Sequence, residues 1–118
     1  MALTDTELTE LRAALEALAR DLPVQLADSS TAARPVELDQ SAVGRVSRID
    51  AIQQQKMVEA GRAALQARLH LTRAALVRCE NEEYGECVSC GEDIGFARLS
   101  ARPESPFCLA CQERREQR

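Results

Sequence analysis

Cys87-Val-Ser-Cys90 and Cys108-Leu-Ala-Cys111 stand on either side of residues 91–107. Two thiol pairs, each enclosing two residues and separated by a loop of roughly fifteen to twenty, have the spacing that lets four sulfurs converge tetrahedrally on one zinc ion. The pattern predicts one structural Zn2+ held by Cys87, Cys90, Cys108 and Cys111. Two other readings remain. A pair of disulfides belongs to secreted chains, and a redox C-x-x-C occurs once, on a βαβ background that this sequence lacks.

Within the loop, Gly91 directly after Cys90 permits a tight turn in which backbone amides face the sulfurs. Ile94, Phe96 and Leu99 are expected to form a small core, with Pro103 and Pro106 stiffening the return. Leu109 to about Glu116 should make a short C-terminal helix whose positive dipole end stabilises thiolate charge. Arg98, Arg102 and Arg114 stand where they would offset the remaining negative charge.

Upstream, Glu80-Asn-Glu-Glu-Tyr84-Gly85 reads as a helix stop, Gly85 being free to take a positive φ. From about Ser41 to Glu83 there is no proline, and the only glycines are Gly44 and Gly61. Val46, Ile49, Met57, Ala60, Ala64, Leu71 and Ala75 follow a 3.6-residue row, with Val58, Leu65, Leu69 and Leu76 on the adjoining one. Together they predict a helix of about 40 residues, roughly 60 Å long, with one broad Ala-rich face.

The N-terminal segment supplies a partner for that face. Thr4 and Glu7 fit a capping box, and Leu8, Leu11, Leu15, Leu18 and Leu22 recur at alternating spacings of three and four. Glu10, Arg12, Glu16 and Arg20 are left on the wet side. Pro23 should kink or stop this helix, with a weak continuation to about Asp28. Ser29 to Pro35 is the expected turn. Folded back on each other, the shorter helix would cover the N-terminal two-thirds of the longer one and leave Leu69 to Glu83 for the zinc module. The expected fold is mainly α: an antiparallel helical hairpin (coiled coil) over 1–83 with its tip near 29–45, then a small four-cysteine zinc finger with a short C-terminal helix over 84–118.

Composition agrees with helices. The chain of 118 residues has no Trp, one Tyr and two Phe, whereas strands draw on β-branched and aromatic residues. Fifteen basic against nineteen acidic residues give a net charge of −4, a poor basis for displacing counterions from nucleic acid. The N-terminus is acidic where a secretory signal would be basic, and no run approaches the roughly 20 apolar residues of a membrane span. A soluble, cytoplasmic protein with a protein partner is expected. Cys79 reads as a free buried thiol and His70 as an ordinary helical residue. No nucleophile, base and orienter can be assembled, and four thiolates leave zinc no open position for a catalytic water, so an enzyme is not expected.

The run Glu82-Glu-Tyr84-Gly85-Glu-Cys87-Val-Ser-Cys90-Gly91-Glu-Asp-Ile94-Gly95-Phe-Ala-Arg98-Leu99-Ser-Ala101-Arg102-Pro103, followed by Cys108-Leu-Ala-Cys111, resembles the zinc-finger segment of the DksA/TraR family of bacterial transcription factors. The resemblance covers about a quarter of the chain, and the remainder agrees in architecture. It implies that Cys87, Cys90, Cys108 and Cys111 ligate zinc. It also implies a monomer that binds RNA polymerase rather than DNA, inserting its coiled-coil tip through the secondary channel, in some members together with the nucleotide ppGpp. Transferred to this chain, the tip is the region from Arg34 to Arg45, with Asp39 the candidate functional acid beside Gln40, Ala42 and Arg45. The family's usual tip has two aspartates three residues apart and an alanine two beyond the second; here Asp39 is followed by Gln40, Ser41 and Ala42. A different class of function stays open: a zinc-stabilised interaction protein that dimerises through Leu8 to Leu22 and does not act on polymerase.

Overall fold

In the computed structural model, which describes residues 2–32 and 45–117, the chain enters its first helix through a reciprocal cap. The Thr4 amide donates to Glu7 Oε1 at 3.0 Å and the Glu7 amide to Thr4 Oγ1 at 3.1 Å, as the capping box requires. Helix α1 then runs Asp5–Ala32 and helix α2 runs Arg45–Glu80, and the two pack as an antiparallel pair. Two short helices follow, α3 at Phe96–Ala101 and α4 at Leu109–Glu116. The molecule measures 64 × 32 × 20 Å. Among the described residues, no helix is long and apolar enough to cross a membrane.

The leucine seam is used inside the chain. Leu11, Leu15 and Leu22 are buried to 3%, 0% and 0% exposure, and Leu15 packs with Ala75 and Cys79 of α2, flanked by Leu76 and Tyr84. Pro23 does not stop α1, which continues to Ala32 beyond it. The lost amide bond costs about 3 kcal/mol, an amount that burial of two leucines such as Leu15 and Leu22 can offset. Of the turn expected at Ser29 to Pro35, residues 29–32 are still helical and the remainder lies outside the described residues.

Only part of the broad face expected on α2 is covered. Ile49 is 50% and Met57 73% exposed, and Ala60 and Ala64 also face solvent. Toward the finger both rows are drawn in: Leu69, Thr72, Ala75 and Cys79 are buried, with Leu65, Leu71 and Leu76 half-buried. A helix face is sheltered only where another element lies against it. Thr72 is tolerated at 0% exposure because its hydroxyl donates to the Arg68 carbonyl at 2.8 Å.

The overhang also lies at the other end. Counted one for one from the contact of Leu15 with Ala75 and Cys79, Ala32 falls level with about residue 60, so α2 outruns α1 by roughly four turns toward Arg45. Leu69 to Glu83 is thus shared between α1 and the finger.

Helix α2 ends three residues earlier than expected, in a paired bond from the Glu83 amide to the Arg78 carbonyl (2.8 Å) and from the Glu82 amide to the Cys79 carbonyl (3.3 Å). Glu82 takes the positive φ of 62° that closes this motif. Gly85, at φ 102°, serves the next bend, where a Cβ would stand 3.0 Å from Leu3 Cδ1. The N-terminal residues, the end of α2 and the finger therefore meet at one base. Tyr84 Oη donates to the Pro103 carbonyl at 2.7 Å and Arg68 Nε to Glu104 Oε1 at 3.0 Å, tying α2 to the loop ahead of the second cysteine pair.

Candidate metal centre

The first cysteine pair sits on a tight turn. The Gly91 amide donates to the Cys87 carbonyl at 2.9 Å, with Gly91 at φ 77°, a conformation open to glycine at little cost. The Cys87 amide donates to the Glu92 carbonyl at 2.7 Å and the Ile94 amide to the Gly85 carbonyl at 2.9 Å, which brings Glu86 and Asp93 into a single antiparallel bridge. The second pair opens α4. Cys108 is its extended N-cap (φ −68°, ψ 165°), and the helix bounds are those expected from the sequence. A bond from the Val88 amide to the Pro106 carbonyl, 2.9 Å, joins the two halves.

Leu99, on α3, is fully buried beneath this arrangement, with Ile94 and Phe96 half-buried around it. Helix α3 itself was not anticipated. Its six residues are too few to show a period, and Gly95 at φ 99° precedes them.

The four sulfurs of Cys87, Cys90, Cys108 and Cys111 all lie within 4.8 Å of one another, and those of Cys90 and Cys108 stand 3.7 Å apart. A regular tetrahedron with zinc–sulfur bonds of about 2.3 Å has edges of about 3.8 Å. The donor set fits a single Zn2+, and the chain carries one structural zinc site built from four cysteines. Cys87 and Cys111 are buried, Cys108 is half-buried and Cys90 is exposed, so the cluster has one wet side. The fifth cysteine, Cys79, is buried in the hairpin base and stands apart from the cluster. His70 is exposed on α2.

Electrostatics explain why this cluster suits a cation. Burial opposes ionisation of Cys87, but the backbone amides of Cys108, Cys90 and Ser89 point at its sulfur and hold its thiol down at about 6. At Cys90 the Glu92 amide favours the thiolate. Desolvation and the other three sulfurs outweigh it and push that thiol up to about 12. The fold thus favours the thiolate at Cys87 and opposes it at Cys90, where a bound divalent cation would supply the missing charge. Of the three arginines expected to relieve the charge, Arg114 does so directly, its Nη2 lying 3.2 Å from Cys111 Sγ. Arg98 Nε instead donates to the Phe107 carbonyl at 3.0 Å, and Arg115 stacks over the Phe107 ring at 4.3 Å. Backbone amides facing the sulfurs were expected of the first cysteine turn and of the start of the C-terminal helix, and those of Ser89, Cys90 and Cys108 take that role at Cys87.

With four thiolates the coordination shell is closed, and its chemistry is structural. Of the residues assigned to the tip, Asp39, Gln40 and Ala42 lie outside the described residues, and Arg45 is the first residue of α2.

Residues 82–117 match the family model described as the prokaryotic dksA/traR C4-type zinc finger. Over 37 residues the chain is 46% identical to the RNA polymerase-binding transcription factor DksA of Escherichia coli strain K12, covering 31% of this chain and 24% of that protein. Over 44 residues it is 50% identical to the protein of the same name from Caulobacter vibrioides strain NA1000, covering 37% of this chain and 31% of that one. The match thus spans less than a third of these relatives. The transcription factor DksA2 from Pseudomonas aeruginosa superposes with a TM-score of 0.71 at 22% identity, covering 96% of this chain and 85% of that one, a likeness of fold.

Proposed function

We propose, from the premise that residues 82–117 are a DksA/TraR-type finger, that this chain is a bacterial transcription regulator that acts by binding RNA polymerase. The observation that carries the reading is the joining of that finger to a helical hairpin that follows the DksA2 fold across 96% of the chain. Neither part alone would be enough, since a four-cysteine finger or a helical pair serves many functions.

In this reading the chain divides into a hairpin, 1–83, and a finger module, 84–118. Zinc fixes the base, and the hairpin delivers its tip, around Asp39, Gln40, Ala42 and Arg45, through the secondary channel toward the polymerase active centre. The chain works as a cytoplasmic monomer, without catalysis and without recognising DNA. Its acidic balance supports a protein partner over nucleic acid. The competing dimer through Leu8 to Leu22 has little left to use, because Leu11, Leu15 and Leu22 are already buried within the chain.

Co-purification of the zinc-loaded chain with core RNA polymerase, with and without ppGpp, tests the proposal. Binding is expected, together with an Asp39→Asn chain that still binds and has lost its effect on transcription. Absence of binding at micromolar concentration overturns the reading, and a stable dimer in sedimentation favours the interaction-protein alternative.

A further inference from the structure

Cys108 enters the metal site on a peptide plane whose two ends have different partners. Its own amide is among the backbone donors aimed at the Cys87 sulfur. At the other end of the same plane stands the Phe107 carbonyl, which accepts from Arg98 Nε of α3 at 3.0 Å. The bond between Phe107 and Cys108 is trans, and a trans peptide is planar with its C=O and N–H opposed. Holding the carbonyl toward Arg98 therefore holds the amide toward Cys87, and with it the direction in which the Cys108 side chain leaves the backbone.

The rest of Phe107 is held too. Its ring lies under the Arg115 guanidinium of α4, 4.3 Å from the centroid. One residue is thus gripped by two helices, by its carbonyl and by its ring, directly before a metal ligand. The arginines of the finger divide the work: Arg114 Nη2 meets Cys111 Sγ itself at 3.2 Å, whereas Arg98 acts on the peptide. Groups that orient ligands without touching the metal matter nearly as much as the ligands, because a coordination polyhedron tolerates little misplacement.

We infer that Arg98 is a positioning residue of the zinc site, which sets Cys108 and its amide for the metal through the Phe107–Cys108 peptide. The role explains why α3, only six residues long, is placed where it is: Leu99 anchors it in the finger, and Arg98 reaches from it to the second cysteine pair. It concerns the metal site alone and stands whatever the protein binds.

Two substitutions separate the hydrogen bond from the charge. Glutamine carries a donor nitrogen at the same distance along its side chain as arginine Nε, without the positive charge; methionine has similar length and no donor. The measurement is the rate at which the full zinc-loaded chain yields its metal to an excess of a pyridylazo chelating dye, with the thiolate charge-transfer bands of the Co2+ form and the Cys108 amide proton shift as further readouts. Arg98→Met should release zinc roughly 10- to 100-fold faster, alter the Co2+ bands and move the Cys108 amide proton upfield as its bond to sulfur weakens. Arg98→Gln should restore most of all three. Arg102→Met, at an exposed arginine on the end of α3, and Tyr84→Phe, which frees the same loop at Pro103, should leave them unchanged. The inference fails if Arg98→Met keeps the parent rate, or if Arg98→Gln releases zinc as fast as Arg98→Met, which makes charge the cause. It also fails if Tyr84→Phe reproduces the changes, which makes them a general loosening of the loop. Should Arg98→Met take up no zinc at all, a loaded Arg98→Gln chain supports the inference and an empty one overturns it.

Discussion

The finger and the hairpin base are held together in different ways. In the finger, four sulfurs within 4.8 Å of one another surround one point, and Leu99 is the large apolar side chain there that is fully removed from water. At the hairpin base there is no such centre. Leu11, Leu15, Leu22, Leu69, Ala75 and Cys79 form a thin strip along two helices, and Thr72 and Tyr84 complete it with hydrogen bonds. The finger stands or falls with a single ion, whereas the base is a sum of small terms. Removing one component should therefore give an all-or-none loss in the first and a graded loss in the second.

Zinc removal gives the largest separation of the two. Structural zinc contributes roughly 10–16 kcal/mol to small metal-folded domains, more than such a domain's own stability. Chelation, or Cys→Ser at position 87, 90, 108 or 111, should collapse the amide NMR dispersion of residues 86–111 while most of the helical circular dichroism persists. A finger that keeps its dispersion without metal would erase the contrast.

Next in size is Leu15→Ala. A fully buried leucine replaced by alanine costs about 2–5 kcal/mol, so its thermal midpoint should fall clearly with zinc still bound. The matching control is Met57→Ala, 73% exposed, for which a change within about 0.5 kcal/mol is expected. Equal effects at the two positions would mean that the covered face of α2 extends to Met57.

These two helices also show what the sequence could convey. The metal centre was legible because a coordination polyhedron needs its ligands at fixed short spacings, and C-x-x-C twice over states that need locally. The bounds of α4 followed from the same motif. The covered length of α2 was harder, since Ile49 and Met57 share a 3.6-residue row with the buried Ala75, and only the reach of α1 decides which part of that row is sheltered. Pro23 misled for a related reason: its cost is local, while the burial that outweighs it is tertiary. The clasp between the two regions was not legible at all. Arg68 with Glu104 spans 36 positions and Tyr84 with Pro103 spans 19, and no local pattern links them.

That clasp gives the third prediction, smaller again. Tyr84→Phe removes one half-buried hydrogen bond and should cost about 1 kcal/mol in denaturant unfolding. Zinc stoichiometry should be unchanged. A loss of zinc in this variant would show that finger and base fold as one unit rather than two.

The smallest effect is alkaline. Burial raises the Cys79 thiol above its ordinary 9.0, with Arg12 and Arg78 pulling it back only in part. Burial, then the neighbouring Cys79, raises the Tyr84 phenol above 10.0. Both groups stay neutral in the fold after they would ionise in the unfolded chain, so above about pH 9 the unfolded state binds fewer protons and stability falls as pH rises. The thermal midpoint should be level up to about pH 9 and then decline, more shallowly in Cys79→Ala. No decline by about pH 11 would mean that these groups are solvated.

In the proposed function a zinc-fixed base presents the hairpin to RNA polymerase. Its most direct test is co-elution of the purified zinc-loaded chain with core RNA polymerase on a sizing column at micromolar concentration. The result expected is a one-to-one complex that survives Asp39→Asn and dissociates when zinc is chelated. A chain that carries its zinc, keeps its helices and still elutes apart from polymerase would contradict it.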